Sequence, residues 1–321
     1  MGWGGPEGHE PVLRAEVVDL LLPALEHGGV VVDATLGGGG HTDALLAAAP
    51  AITVVGIDRD PEALDAARSN LGSRAARVTF VRDDYARIAA VLERLGIEAV
   101  AGVLFDLGVS SPQLDRAERG FSFRNDGPLD MRMDPTQELT ARDVVNGYPE
   151  RDLARVIRTF GEERFAARVA RAIVHARPIE STVALADTVK EAIPAATRRT
   201  GGHPARRTFQ AIRIEVNKEL ESVSTGVSDA IEALAPGGRI AVISYHSLED
   251  RIVKKALTEA ARGCTCPPDF PVCTCGAAAS IRILTRRPAR PPESEQARNP
   301  RASAAKLRAA QCIRPSKVGG R

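Results

Sequence analysis

The sequence predicts an α/β protein: a parallel sheet covered by helices on both faces, interrupted by one mainly helical insertion. Three observations predict it. Short apolar runs end on acids: Val30-Val31-Val32 before Asp33, Ile52–Ile57 before Asp58, and Val100–Phe105 before Asp106. Such runs read as strands buried on both faces, and their alternation with stretches of helical spacing implies parallel pairing. Residues 114–205, by contrast, are rich in Arg, Asp and Glu and hold no convincing buried strand.

Each element has its own signal. Leu13, Val17, Leu20, Leu21 and Ala24 fall at helical spacing, so residues 12–26 form an amphipathic helix, distorted near Pro23. Val30–Asp33 is the first strand, and His41–Ala49 is a helix that stops before Pro50. The second strand ends at Asp58, where Asp60-Pro61-Glu62 supplies an N-cap, a first-turn proline and a first-turn acid. Val78–Val81 is a strand, Tyr85–Leu95 a helix and Val100–Phe105 the fourth strand. The insertion has helical stretches near 150–177 and 181–193. A long helix over about 206–234 then leads to the strand Arg239–Ile243, a helix over about 247–262, and closing strands near 281–285 and 304–312. The expected domains are 1–113 and 206–321, forming the sheet, with 114–205 inserted.

A chain of 321 residues, 44% hydrophobic and 26% charged, can bury a substantial core. No apolar run approaches the roughly 20 residues of a membrane span. Met1 to Pro6 lacks a basic patch followed by an apolar stretch, so a cytoplasmic protein is expected. The net charge of +2 hides a gradient: residues 281–321 carry +9 and the rest −7. A basic tail on an acidic body suits contact with a polyanion, and equally a solvated tail. Cys264, Cys266, Cys273 and Cys275 cluster, with Cys312 apart. Their C-x-C spacing is tighter than a usual zinc knuckle. A four-thiolate site and a reduced thiol-rich loop both fit, and no metal is assigned.

The first strand feeds the turn Gly37-Gly38-Gly39-Gly40, then His41. Glycines there let backbone approach a ligand and adopt positive φ, and the helix beyond offers unpaired N–H groups. The pattern lacks the usual G-x-G-x-x-G register and the lysine of a P-loop, which argues against NAD and nucleoside triphosphates. Asp58, at the next strand end, suits ribose hydroxyls. Tyr85, after Asp83-Asp84, suits a lip beside an adenine, or a partly buried core position. A nucleoside cofactor without a pyrophosphate fits best, and S-adenosylmethionine is the common one. The fourth strand end reads Asp106-Leu-Gly-Val-Ser-Ser-Pro-Gln113. An acid beside a proline turn suits transfer to an exocyclic amine, because acceptors of its N–H bonds help localise a lone pair otherwise spread into the ring. Positioning matters more there than a strong base.

These blocks, in order, resemble one family: the bacterial small-subunit ribosomal RNA (cytosine-N4)-methyltransferases, RsmH, formerly MraW. The resemblance runs from His9-x-Pro11-Val12-Leu13 to Asn299-Pro300-Arg301-Ala302. Besides Asp33–His41 and Asp106–Gln113, it includes Glu118-Arg-Gly-Phe-Ser-Phe123, Gly127–Pro135, Gly161-Glu-Glu-Arg-Phe165, Arg207–Ile214 and Ser244–Arg251. It implies a Rossmann-like S-adenosylmethionine-dependent methyltransferase sheet with a helical insertion. It further implies methylation of N4 of one cytidine in the decoding region of 16S rRNA, with rRNA or the assembled small subunit as partner. By matching motif, Gly39, Gly40 and His41 contact the cofactor, Asp58 holds the ribose and Tyr85, where relatives often have Phe, lines the adenine. Asp106 binds the methionine end or the target amine, as a catalytic or a binding residue, and Gln113 closes the pocket.

Ser110, Ser111 and Pro112 shape the base pocket on this reading, and Tyr245 and His246 end the fifth strand facing it. His246 also fits a packed, hydrogen-bonded histidine. Arg198, Arg199, Arg206 and Arg207, beside His203-Pro204, suit phosphates, or a solvated face. Phe121 and Phe123 suit stacking on a flipped base, or anchoring of the insertion. The competing functions are a DNA amino-methyltransferase, a nicotinamide-dependent oxidoreductase, and a non-catalytic assembly factor on the same fold.

Overall fold

The computed structural model describes residues 11–197, 202–263 and 278–315. In chain order the elements begin with α1 (Arg14–Leu21), β1 (Gly29–Asp33), α2 (Gly40–Ala48), β2 (Ile52–Asp58), α3 (Pro61–Leu71), β3 (Val78–Arg82), α4 (Ile88–Arg94) and β4 (Val100–Asp106). Six helices follow: α5 (Ser111–Asp115), α6 (Ala141–Gly147), α7 (Glu150–Gly161), α8 (Ala166–His175), α9 (Thr182–Ala192) and α10 (Arg206–Asn217). The chain then forms α11 (Glu219–Ala233), β5 (Leu234–Ser244), α12 (Ser247–Ala260), β6 (Ile281–Ile283), α13 (Glu293–Arg298) and β7 (Lys306–Cys312). It divides into two compact units, the second being Val109–Glu219.

The first unit is built on one seven-stranded sheet of order β3-β2-β1-β4-β5-β7-β6. β1 to β5 pair in parallel, and β7 runs antiparallel to both β5 and β6. Side chains alternate across it, as the two-residue strand period demands. Val32, Val55, Val103, Phe105 and Val242 face one core with Val91, Val227 and Val253 of α4, α11 and α12. Val31, Val54, Leu104 and Ile243 face the other with Val17, Leu45 and Leu64 of α1, α2 and α3. Burial on both faces explains why these strands read as unbroken apolar runs.

The second unit has its own core, drawn from α6 to α10: Val144, Leu153, Ile157, Val169, Ile173, Leu185, Val189, Phe209 and Ile212. One helix expected as continuous is broken, and the helical stretch near 150–177 holds two helices. The stretch near 150–177 splits after Gly161, where Glu162 turns left-handed at φ 48°. The long helix expected over 206–234 is two, α10 and α11, because Lys218 takes φ 51° between them. α10 packs Phe209 and Ile212 into the second core, so this unit extends to Glu219, beyond the 114–205 read from sequence. The first helix is also shorter than expected: α1 stops at Leu21 and a tight 3-10 turn over Leu22–Ala24 carries Pro23.

Candidate active site

The glycine turn is fastened from below. Asp33 ends β1 and is buried; its carboxylate accepts from the Thr42 hydroxyl at 2.7 Å and from the Thr35 N–H at 3.3 Å. Burial raises the Asp33 pKa against those hydrogen bonds. Gly37 (φ 51°) and Gly39 (φ 80°) are left-handed. A Cβ on Gly39 would also lie 3.3 Å from Ala67 and Leu71 of α3, so the turn is pressed onto that helix.

Asp58 stands at the end of β2, on the neighbouring strand. Its two oxygens accept the Gly37 N–H at 2.8 Å and the Asp60 N–H at 2.9 Å. Burial pushes its pKa up to about 6, outweighing those backbone bonds, with the nearby Asp60 charge adding to the rise. Each oxygen keeps a second lone pair for a ligand hydroxyl. Asp60 caps α3 as the sequence indicates, accepting the Glu62 N–H at 3.1 Å.

Beyond β3, Asp84 caps the short turn carrying Tyr85 and pairs with Arg59 at 2.9 Å. The Ser222 hydroxyl of α11 also reaches Asp84, at 3.1 Å. Tyr85 is half-buried, edge-on to Phe105 with centroids 5.6 Å apart, and the Arg59 guanidinium lies 5.6 Å from its ring centre. It sits at the margin of the core.

Asp106 ends β4 and is held at three points. Its N–H donates to Thr35 Oγ1 at 2.6 Å, its Oδ1 accepts the Tyr245 hydroxyl at 2.8 Å, and its Oδ2 lies 3.5 Å from His41 Nε2. The His41 side chain is only 7% exposed, and neither ring nitrogen has a hydrogen-bond partner among the described residues. Tyr245 is pushed well above its ordinary pKa by burial and then by the Asp106 charge, so it remains a donor. Gly108 (φ 101°) passes close to its ring: a Cβ there would lie 3.4 Å from Tyr245 Cδ2.

The structure therefore brings Gly39, Gly40, His41, Asp58, Tyr85, Asp106 and Tyr245 to the C-terminal ends of adjacent strands in the first unit. His246 takes the bland alternative. It caps α12, its Nδ1 accepting the Glu249 N–H at 3.4 Å while its Nε2 lies 3.0 Å from Glu249 Oε1. The residues after Gly108 belong to the second unit. Ser110 caps α5, and buried Gln113 completes the capping box by accepting the Ser110 N–H at 3.0 Å. Ser111 and Pro112 form the half-exposed first turn. Arg206 and Arg207 are exposed at the start of α10, with Arg207 3.8 Å from Glu163. Phe121 is buried in the second core, with Phe123 packed against it. Arg198, Arg199 and the four clustered cysteines lie outside the described residues. Thr35, Arg59 and Ser222 carry no local sequence signal of a site, although Thr35 lies within the Asp33–His41 motif.

A sheet of this order, with an antiparallel β7 slotted between β5 and β6, is the Rossmann-like frame of S-adenosylmethionine-dependent methyltransferases, and the chain is an enzyme of that class. More narrowly, it belongs to the MraW methylase family, whose model matches residues 7–313. It is 54% identical over 310 residues to "Ribosomal RNA small subunit methyltransferase H" of Thermobifida fusca, covering 95% of this chain and 94% of that one. Proteins of the same name from Heliobacterium modesticaldum and Acidothermus cellulolyticus are 52% and 53% identical, over 95% and 96% of this chain and 99% and 95% of theirs.

Proposed function

We propose that this chain methylates the exocyclic N4 amine of one cytidine in the decoding region of 16S rRNA, using S-adenosylmethionine. The observation that carries the chemistry is Asp106, whose carboxylate accepts the Tyr245 hydroxyl and lies beside His41, and whose backbone N–H is held by Thr35. Residues present in the first unit fit the cofactor. Left-handed glycines keep the β1 turn free of side chains, Asp58 offers acceptors for a ribose, Tyr85 gives an aromatic edge, and His41 offers a buried ring beside Asp106 whose nitrogens make no hydrogen bond among the described residues. Bound there, S-adenosylmethionine supplies a methyl group activated by its sulfonium.

The work of the protein is positional. With Oδ1 occupied by Tyr245, Asp106 presents Oδ2 to an N–H of the amine. Accepting that hydrogen bond turns the nitrogen lone pair out of conjugation and toward the methyl carbon. S-adenosylmethionine held there would supply the methyl group to that nitrogen, and the proton the amine gives up would pass to Asp106 Oδ2, its hydrogen-bond partner, and on to solvent. The base must leave its stack to be reached. The resemblance gives Gln113 the closing of the pocket, and Ser110, Ser111 and Pro112 are read as shaping the base pocket; all four lie in the second unit. The partner is 16S rRNA or the assembled small subunit, which places the reaction in the cytoplasm. No described helix is long and apolar enough to cross a membrane.

The test is to incubate the protein with labelled S-adenosylmethionine and, separately, small subunits, free 16S rRNA and DNA, then digest to nucleosides. N4-methylcytidine from the subunit or its RNA is expected. Label in DNA alone, or in no RNA, overturns the proposal.

A further inference from the structure

The second unit carries an aromatic plate that the chemistry above does not use. His203 is exposed, and its ring stacks on Phe123 with centroids 4.5 Å apart and planes 34° from parallel. Phe123 in turn meets Phe209 of α10 edge-on at 4.8 Å, and Phe209 is buried in the core of the unit. The imidazole is fixed in plane as well: Nδ1 accepts the Ala205 N–H at 3.2 Å, which leaves Nε2 as the N–H donor. A histidine on a surface turn normally moves through several rotamers. This one is backed by two phenylalanines and pinned by a backbone bond.

Two cations neighbour the plate in the chain. Arg124 follows Phe123 directly, and Arg206, whose N–H donates to the His203 carbonyl at 3.1 Å, opens α10. Both are exposed, and among the described residues neither guanidinium has an ion-pair partner. Elsewhere in the unit Arg132, Arg142, Arg171 and Arg213 are paired with carboxylates, whereas Arg151, Arg155, Arg158 and Arg168 are exposed without a described ion pair, so the ordered ring is what sets this cluster apart. A solvated arginine face needs no ordered ring between its charges, and a ring that served only the core would not be exposed. A fixed aromatic face with unpaired cations next to it in the chain suits unpaired nucleotides, the ring taking a base and the cations its phosphates.

Resting on the reading of the chain as an rRNA methyltransferase, we infer that His203, backed by Phe123 and with Arg124 and Arg206 next to the stacked pair in the chain, is a stacking platform for one unpaired base of single-stranded RNA. It is a recognition surface of the second unit, separate in role from the residues of the transfer. The ring face reads any base, so it selects unpaired over paired RNA rather than one sequence.

The test uses the full chain and two fluorescently labelled probes, an unstructured ten-nucleotide RNA and a duplex of the same length, followed by anisotropy. His203→Ala should weaken single-strand binding about tenfold, while His203→Phe, which keeps a flat ring, should restore most of it. Arg124→Gln and Arg206→Gln should each lower the slope of log affinity against log salt by about 0.7. Affinity for S-adenosylmethionine by calorimetry and the thermal midpoint should stay unchanged in all four variants. The platform is overturned if His203→Ala binds within twofold of wild type, if His203→Phe is as weak as His203→Ala, or if wild type binds duplex equally well. Methylation of small subunits by the wild-type protein, run alongside, separates the two failures. Active protein with unchanged His203→Ala binding sinks the platform alone; inactive protein that binds neither probe sinks the functional reading with it.

Discussion

Asp58 carries the clearest consequence at the scale of single residues. If Asp58 holds the ribose as proposed, its pKa of about 6 means that a proton competes with that ribose for its lone pairs near neutrality. Ribose hydroxyls favour the ionised carboxylate, so affinity for S-adenosylmethionine should be flat above pH 7. Below pH 6 it should fall by up to about tenfold per unit, as isothermal calorimetry between pH 5 and 8 would show. Asp58→Asn should bind weakly at every pH and lose that dependence. For the ligand-free protein the sign is opposite. A folded pKa above the unfolded one costs stability once the group ionises, so this residue's contribution improves as pH falls from about 6 toward 4. Tyr245 gives a second test. Its Oη is 2.8 Å from Asp106, and Tyr245→Phe removes that bond while keeping the ring against Gly108. Turnover should drop about tenfold or more from the misplaced carboxylate, with the cofactor dissociation constant within about threefold; unchanged turnover would dismiss the role given to Tyr245.

Elements are set by close approaches and by caps. Gly226 of α11 passes so near Tyr85 that an added Cβ would sit 2.8 Å from the Tyr85 carbonyl oxygen and 2.9 Å from its ring. Gly226→Ala should therefore lower stability by about 1–3 kcal/mol in urea titration and weaken cofactor binding through the displaced ring. Asp250 of α12 ties that helix to β7, bonding Arg308 at 2.7 Å and Lys306 at 3.2 Å. Burial raises its pKa, but the bonds and charges of Arg308 and Lys306 outweigh this and hold it below the usual carboxylate value. That stabilisation is present above the unfolded pKa near 4 and is lost as pH falls through the folded value. Asp250→Asn should remove the acid-limb contribution in melts taken between pH 3 and 5. The same elements show what a linear sequence displays. Strands buried on both faces appear as apolar runs, and Asp60 announces its helix because a cap needs only local residues. The break at Lys218 is silent, since a lysine carries no preference for the left-handed conformation that glycine advertises. The Tyr245–Asp106 bond joins residues 139 apart, and no local pattern encodes such a pair.

At the scale of the whole molecule, the three apolar cores respect the division into units: two lie within the sheet unit and one within Val109–Glu219. A polypeptide of residues 109–219 should then fold alone, with a helical circular dichroism spectrum and one cooperative thermal transition. A spectrum without a melting transition would show that its core is incomplete. The strand order adds a demand on synthesis. β4 lies in the middle of the sheet beside β5, yet the whole second unit is translated between them. At about 5–20 residues per second the ribosome takes roughly ten seconds over that interval. During it a half-built sheet presents the open backbone edge of β4, a site for wrong pairing. The helical unit, rich in local contacts, has ample time to form first. Nascent chains stalled just before β5 should accordingly be the ones that recruit chaperones most strongly, and those stalled after β7 the least.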